Sequence, residues 1–217
     1  MDLSVSALAL FHLRLTTLKN LYEFQVEHNN EVVKSAEKMH EEIARNLSET
    51  EKEEYYSHVF DDHHEYSSMH PILIREGIFI QAYFYFEAFL NSYCDMKTTG
   101  SKSYRDIKDA TGIVRAKKFI KKYCKITEPF KSREWELIFT FKDLRNSLAH
   151  NNGYIKQLIG EHPKGLVLIE HERYNKKNEK SKQSKYTFYF DETFINHMFD
   201  TYIGFIKQLN PNYNSLY

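Results

Sequence analysis

ILIREGIFIQAYFYFEAFLNSYCDMK, residues 72–97, is longer than any ordinary strand and is apolar on nearly every side. Ile78, Phe79, Ile80, Tyr83, Phe84, Phe86, Phe89 and Leu90 leave no broad polar face. A helix of that kind is the central, buried one of a helical domain. It is not a membrane span. Arg75, Glu76, Gln81, Glu87 and Asn91 interrupt it, and no apolar run in the chain reaches the ~20 residues a bilayer needs.

Upstream, Pro71 suits the first turn of that helix. Ser48-Glu49-Thr50-Glu51 is a capping box that opens a helix through about Tyr66. Residues 4–46 carry Leu8, Leu15, Leu18, Leu21 and Phe24 at helical spacing, as one long helix or two joined ones. Downstream, Thr98 to Gly100 break the chain, and residues 112–124 form a short basic helix with Ala116, Phe119, Ile120 and Tyr123 inward. Pro129 ends a connection, and Ser132 caps a helix carrying Trp135, Ile138, Phe139 and Phe141 that stops near Asn151-Asn152-Gly153. Gly165–Glu170 and Tyr186–Phe190 are β-rich and flank the polar loop 174–182, which predicts a hairpin outside the helical core. Asp191 caps a last helix over 192–208, with Pro211 beyond its end. Seven glycines and four prolines in 217 residues agree with long helices. The expectation is one all-α domain, 1–217, an antiparallel helical bundle with its core in 1–155, a small peripheral β-hairpin near 165–190 and a C-terminal helix at 191–209.

Two cysteines, Cys94 and Cys124, make no disulfide framework and point to reduced thiols in a cytoplasmic protein. The start, MDLSVSALALFHLRL, lacks the pattern of a secretory signal. The net charge is zero but segregated. Residues 1–70 hold 6 Lys/Arg against 14 Asp/Glu, a net −8, whereas residues 97–133 hold 12 against 3, a net +9. The basic segment calls for an anionic partner, or for the acidic half to cover it within the chain or between chains.

The segment Arg145-Asn146-Ser147-Leu148-Ala149-His150 carries the most pointed chemistry. Five residues apart, Arg145 and His150 lie about 140° apart on a continuous helix. They converge on one anion only if the helix ends or bends between them, and Asn151-Asn152-Gly153 supplies an end. On spacing alone, a last-turn cation favoured by the helix dipole and a histidine beside a C-cap explain the same residues.

Leu144 to Asn151 resembles the signature of HEPN domains: arginine, a polar residue such as asparagine, then histidine after four to six positions. The aromatic helix containing Tyr85-Phe86-Glu87-Ala88-Phe89-Leu90-Asn91 resembles the one that precedes the signature in that family. The resemblance covers roughly residues 70–155. It implies a HEPN-like bundle and a metal-independent ribonuclease whose site forms between two copies. The chemistry agrees. A histidine can take the 2′-hydroxyl proton or protonate the leaving 5′-oxygen near neutral pH, and an arginine can hold the phosphorane-like transition state. One chain supplies one such histidine, and a two-fold dimer supplies two.

The expected catalytic set is therefore Arg145, Asn146, His150 and Glu87. Glu87 lies in the apolar helix and needs a donor or cation, for which Arg145 is the natural choice; a purely structural pair fits equally. The basic helix offers an RNA-binding surface: Arg115, Lys118 and Lys122 on one face, Lys117, Lys121 and Lys125 on another. A solvated helix face is the plainer explanation. His58 with Asp61-Asp62-His63-His64-Glu65 lacks the second ligand cluster that a closed metal site wants, so no metal and no cofactor is expected. The expected function is an endoribonuclease acting as a toxin or phage-defence effector, with RNA as substrate, a homodimer, a possible antitoxin or defence-system partner, and no membrane. The alternatives are a non-catalytic module that binds nucleotide, RNA or a partner protein, and a helical scaffold.

Overall fold

The computed structural model describes residues 3–98, 103–151, 153–155, 161–171 and 185–210. Of these, 79% are helical. In chain order the elements are α1 (Leu3–Ala44), α2 (Glu49–His64), α3 (His70–Met96), α4 (Gly112–Phe119), α5 (Arg133–His150), β1 (Tyr154–Ile155), β2 (Leu166–His171), β3 (Lys185–Phe190) and α6 (Glu192–Leu209). The protein is thus mostly helical with a small antiparallel sheet. No helix among the described residues is long and apolar enough to cross a membrane.

α3 is the hub, packed against α1, α4, α5, α6 and β3. Phe79, Ala82, Phe86, Leu90 and Cys94 are fully shielded from solvent there. The fill is aromatic. Phe86 stacks on Tyr202 of α6 with ring centroids 4.7 Å apart, and Phe79 meets Phe190 of β3 at 4.8 Å. Burial of each such side chain is worth about 1.5–3 kcal/mol, and the buried side chains of α1, α3 to α6 and the sheet form one continuous cluster.

α1 runs antiparallel to α3: Phe11 sits on Phe89, and Asn29 reaches Tyr66. The capping box at Ser48 forms, with Glu51 accepting from the Ser48 amide at 2.8 Å. α2 and α3, read from the sequence as separate helices, are joined by a π-helical turn at Glu65–Met69. His64, Glu65, Met69 and His70 all keep right-handed helical backbone. Pro71 has no N–H to give, and with π spacing the carbonyl left over is that of Tyr66. Asn29 Nδ2 donates to that carbonyl at 3.0 Å, so a buried side chain of α1 repairs the ladder. Beyond this junction α1 and α2 continue as a two-helix arm. No side chain of α2 is buried; the helices meet through His40 Nδ1 and Tyr55 Oη, 2.7 Å apart, and through Glu37 and His63.

The hairpin is present but has a third strand. The order is β1-β3-β2, with Leu166 opposite Phe190 and Tyr154 opposite Thr187. Phe188 and Phe190 face inward, and Phe190 stacks on Phe194 at 3.8 Å. Gly165 enters β2 with φ +77°, and any side chain there would collide with the Asp191 carboxylate and the Phe194 amide. Asp191 caps α6 by accepting from the Thr193 amide at 2.7 Å. The tip, 174–182, lies outside the described residues.

Candidate active site

α5 begins where Ser132 Oγ accepts from the Trp135 amide at 3.2 Å, with Glu134 and Glu136 in the first turn where the helix dipole favours them. Its inner face, Trp135, Leu137, Ile138, Phe141 and Leu144, is buried. The helix runs unbroken through His150. The Ser147 carbonyl then accepts from the amides of Asn151 at 2.9 Å and Gly153 at 3.1 Å, closing it after the histidine. The helix thus ends at the expected Asn151–Gly153 run, but because it does so only after the histidine, Arg145 and His150 lie about 140° apart around one axis.

Asn146 connects them. It lies one turn before His150 on the outward stripe that also carries Phe139 and Asp143. Its Oδ1 accepts from Arg145 Nη1 at 2.9 Å. The Arg145 guanidinium lies over the rings of Phe84, 4.9 Å from the centroid, and Tyr83, at 5.6 Å. Its Nε is buried with no hydrogen-bond acceptor among the described residues. His150 is exposed. Ser147, inside the same segment, is buried and donates to the Tyr154 carbonyl at 2.8 Å, tying the helix end to β1.

Glu87 does not pair with Arg145 or Asn146: no hydrogen bond or ion pair among the described residues joins them. α5 crosses α3 at Tyr83 and Phe84, whereas Glu87 lies a turn further on, where α4 begins. Its carboxylate rests against Gly112, with Oε1 3.1 Å from where a Cβ would stand. The carboxylate thus stands beside the first residue of α4, with no hydrogen bond or ion pair to it among the described residues. Tyr83, between the two groups, has its pKa raised by burial first and then by Glu87, with Arg145 opposing.

The basic segment divides by role. Arg115 Nε donates to the Ala110 carbonyl at 2.8 Å, and Lys118 pairs with Asp109 at 2.7 Å. Lys117 is half-buried, 5.1 Å over the Trp135 ring; burial, then Lys121, lowers its pKa. Lys121, Lys122 and Lys125 are exposed. Lys121 and Lys122, with Lys108, Lys118, Asp106 and Asp109, line a groove of about 710 Å³ whose wall includes Ile107 and Tyr123.

Two residues beside the site were named in the sequence only as apolar helix positions, and the structure turns them outward. Phe84 and Phe139, at 42% and 37% exposure, face outward beside Arg145 and Lys142, whose Nζ is 3.6 Å from the Phe139 centroid. The outward stripe of α3 is Leu73, Gly77, Phe84, Ala88, Ser92 and Asp95. Its signal was the small residues at helical spacing, masked by the near absence of charge. His58 and Asp61–Glu65 form no convergent ligand set: no group of three metal-binding side chains comes together among the described residues. Glu65 meets His70 at 3.3 Å, and His64 stacks on Phe60.

Compared with known proteins, the chain matches no family model, and no curated protein and no solved structure is similar to it.

Proposed function

We propose that this protein is a metal-independent endoribonuclease, in the role of a toxin or phage-defence effector, whose site is completed by a second copy of the chain. The observation that carries the reading is the Arg145–Asn146–His150 arrangement. A histidine and an amide stand a turn apart on one exposed face, and the amide holds an arginine whose buried Nε lacks an acceptor. Arg145 as a whole is part-exposed, and a guanidinium is the side-chain group suited to bidentate contact with a phosphate. The outward stripe of α3, with Gly77, Ala88 and Ser92, lets a second helix approach closely beside Arg145. The resemblance to HEPN ribonucleases points the same way.

In this mechanism one His150 accepts the proton of the ribose 2′-hydroxyl as its oxygen attacks the adjacent phosphorus. The second copy's His150 gives a proton to the departing 5′-oxygen. The products are a 2′,3′-cyclic phosphate and a 5′-hydroxyl. Arg145 binds the charge that builds on the non-bridging oxygens, and Asn146 fixes its orientation.

The test is incubation of purified protein with total RNA in EDTA, followed by end-group analysis. Cleavage with cyclic-phosphate ends is expected, and His150→Ala loses about 10²–10⁴-fold in rate. Arg145→Lys is also poor, because lysine cannot make a bidentate phosphate contact. A requirement for Mg²⁺, or 5′-phosphate ends, overturns the assignment. A second reading, a non-catalytic RNA- or partner-binding module, is favoured by the placement of Arg145 and His150 on different sides of α5 in one chain. No cleavage under any condition moves it to first place.

A further inference from the structure

The charge segregation along the chain becomes spatial in the fold. The acidic half of the molecule supplies the arm: residues 31–65 hold 4 Lys/Arg against 11 Asp/Glu, a net −7. The arm leaves the core at the N-terminal end of α3. The lysine-rimmed groove sits at the other end, where Cys94 Sγ contacts the Ala116 carbonyl and Arg105 pairs with Asp95. Some 25 helical residues separate His70 from Asp95, about 37 Å at 1.5 Å per residue. α2 continues from α3 with helical backbone through the junction, so it heads away from its own groove. The acidic arm therefore does not cover the basic groove of the same chain.

The arm is also under-buried for its size. α2 has 16 residues and no buried side chain. A helix of that length has little stability of its own in water and depends on packing. On its outer surface Tyr56 and Phe60 are 45% and 63% exposed. They share a face with Glu53 at i, i+3, i+7 spacing. Met39 and Ile43, one turn apart on α1, are likewise exposed. The groove offers a partial complement: Lys108, Lys118, Lys121 and Lys122 line it against Asp106 and Asp109, a net +2, with Lys118 already paired to Asp109, and Ile107 and Tyr123 lie in its wall.

We propose that the α1–α2 arm of one chain docks in the lysine-rimmed groove of a second copy, the two chains lying antiparallel about a two-fold axis. Because the acidic and basic ends lie at opposite ends of α3, such an axis makes the contact twice. The aromatic face of α2 leaves water, and its flanking carboxylates meet Lys108, Lys121 and Lys122. The docked arm occupies the lysines that an RNA backbone would use, so nucleic acid and arm compete for one groove. The dimer itself follows from charge and burial and does not depend on the Arg145–His150 site being catalytic.

The experiment is charge exchange read by light scattering and sedimentation. One variant carries Glu53→Lys and Glu54→Lys, exposed positions outside every ion pair among the described residues; the other carries Lys121→Glu and Lys122→Glu. Circular dichroism checks that both keep the wild-type helical signal. Wild type is expected to be a dimer that salt weakens. Each variant alone is expected to dissociate at least about tenfold more readily, since like charges then face each other at both contacts. An equimolar mixture of the two variants is expected to recover the dimer, because each reversed arm then meets a reversed groove. A monomeric wild type, variants that keep the wild-type mass, or variants that fail to pair on mixing each overturn the proposal. If the lysine variant keeps its dimer mass but loses RNA binding, the groove belongs to RNA and the proposal fails.

Discussion

Replacing Glu87 by glutamine removes a charge and little volume, and so separates the two partners its carboxylate could have. Against the N-terminal end of α4, the loss is that of a carboxylate at a helix dipole in a half-buried setting, about 1 kcal/mol. In a buried pair with Arg145 it would be about 3–5 kcal/mol. The same geometry sets the cost of Gly112→Ala. Gly112 has φ +52°, where a Cβ costs about 1–2 kcal/mol. The new methyl also stands 3.1 Å from Glu87 Oε1, but that carboxylate is the free end of a flexible side chain and can yield. Backbone strain therefore dominates. Urea unfolding followed by circular dichroism resolves these values: with a slope of about 2 kcal/mol per molar, 1 kcal/mol moves the midpoint by about 0.5 M. A double-mutant cycle of Glu87→Gln with Arg145→Gln should give a coupling below about 0.5 kcal/mol. A coupling above about 1.5 kcal/mol, together with a neutral Gly112→Ala, would refute the assignment of Glu87 to α4.

Ser147→Ala removes the donor to the Tyr154 carbonyl and should cost about 1–3 kcal/mol, read as a fall in urea midpoint; an unchanged midpoint would mean the helix end is held without it. His197 has its pKa lowered, by burial first and then by Lys164 and Arg133, and its Nε2 is buried without a partner among the described residues. The unfolded chain therefore binds its proton more readily than the fold does. The stability held by keeping His197 neutral is complete above about pH 6.5 and is lost as pH falls through that value toward the folded pKa. Urea midpoints at pH 7 and pH 5 should differ more for wild type than for His197→Gln, and equal differences would dismiss the effect.

Most helix limits were legible because they rest on local chemistry: Ser132 and Asp191 cap as read, and the apolar run 72–97 is the central helix. The merger of α2 with α3 was not legible, because the group that repairs the ladder at Pro71 is Asn29, 37 residues from the carbonyl it serves. β1 was missed because two residues show no alternation. In the site, the motif residues could be named but not oriented. Where α5 ends depends on the Ser147 carbonyl accepting two amides, and Glu87's partner depends on which helix crosses α3 at which turn. Of the basic residues, the sequence could not separate Lys117, held over Trp135, from Lys121 and Lys122 at the groove.

The π-turn has a kinetic consequence. Residues 49–96 share one nearly continuous helical backbone, yet its two ends open by different routes. Amides of α3 beside Phe79, Phe86 and Leu90 are released to solvent only when the core itself opens. Those of α2 need only local fraying, which stops where Asn29 clasps the Tyr66 carbonyl. A single rod is thus two foldons with the seam at Glu65–Met69, and deuterium uptake along it should rise as a step there rather than as a slope.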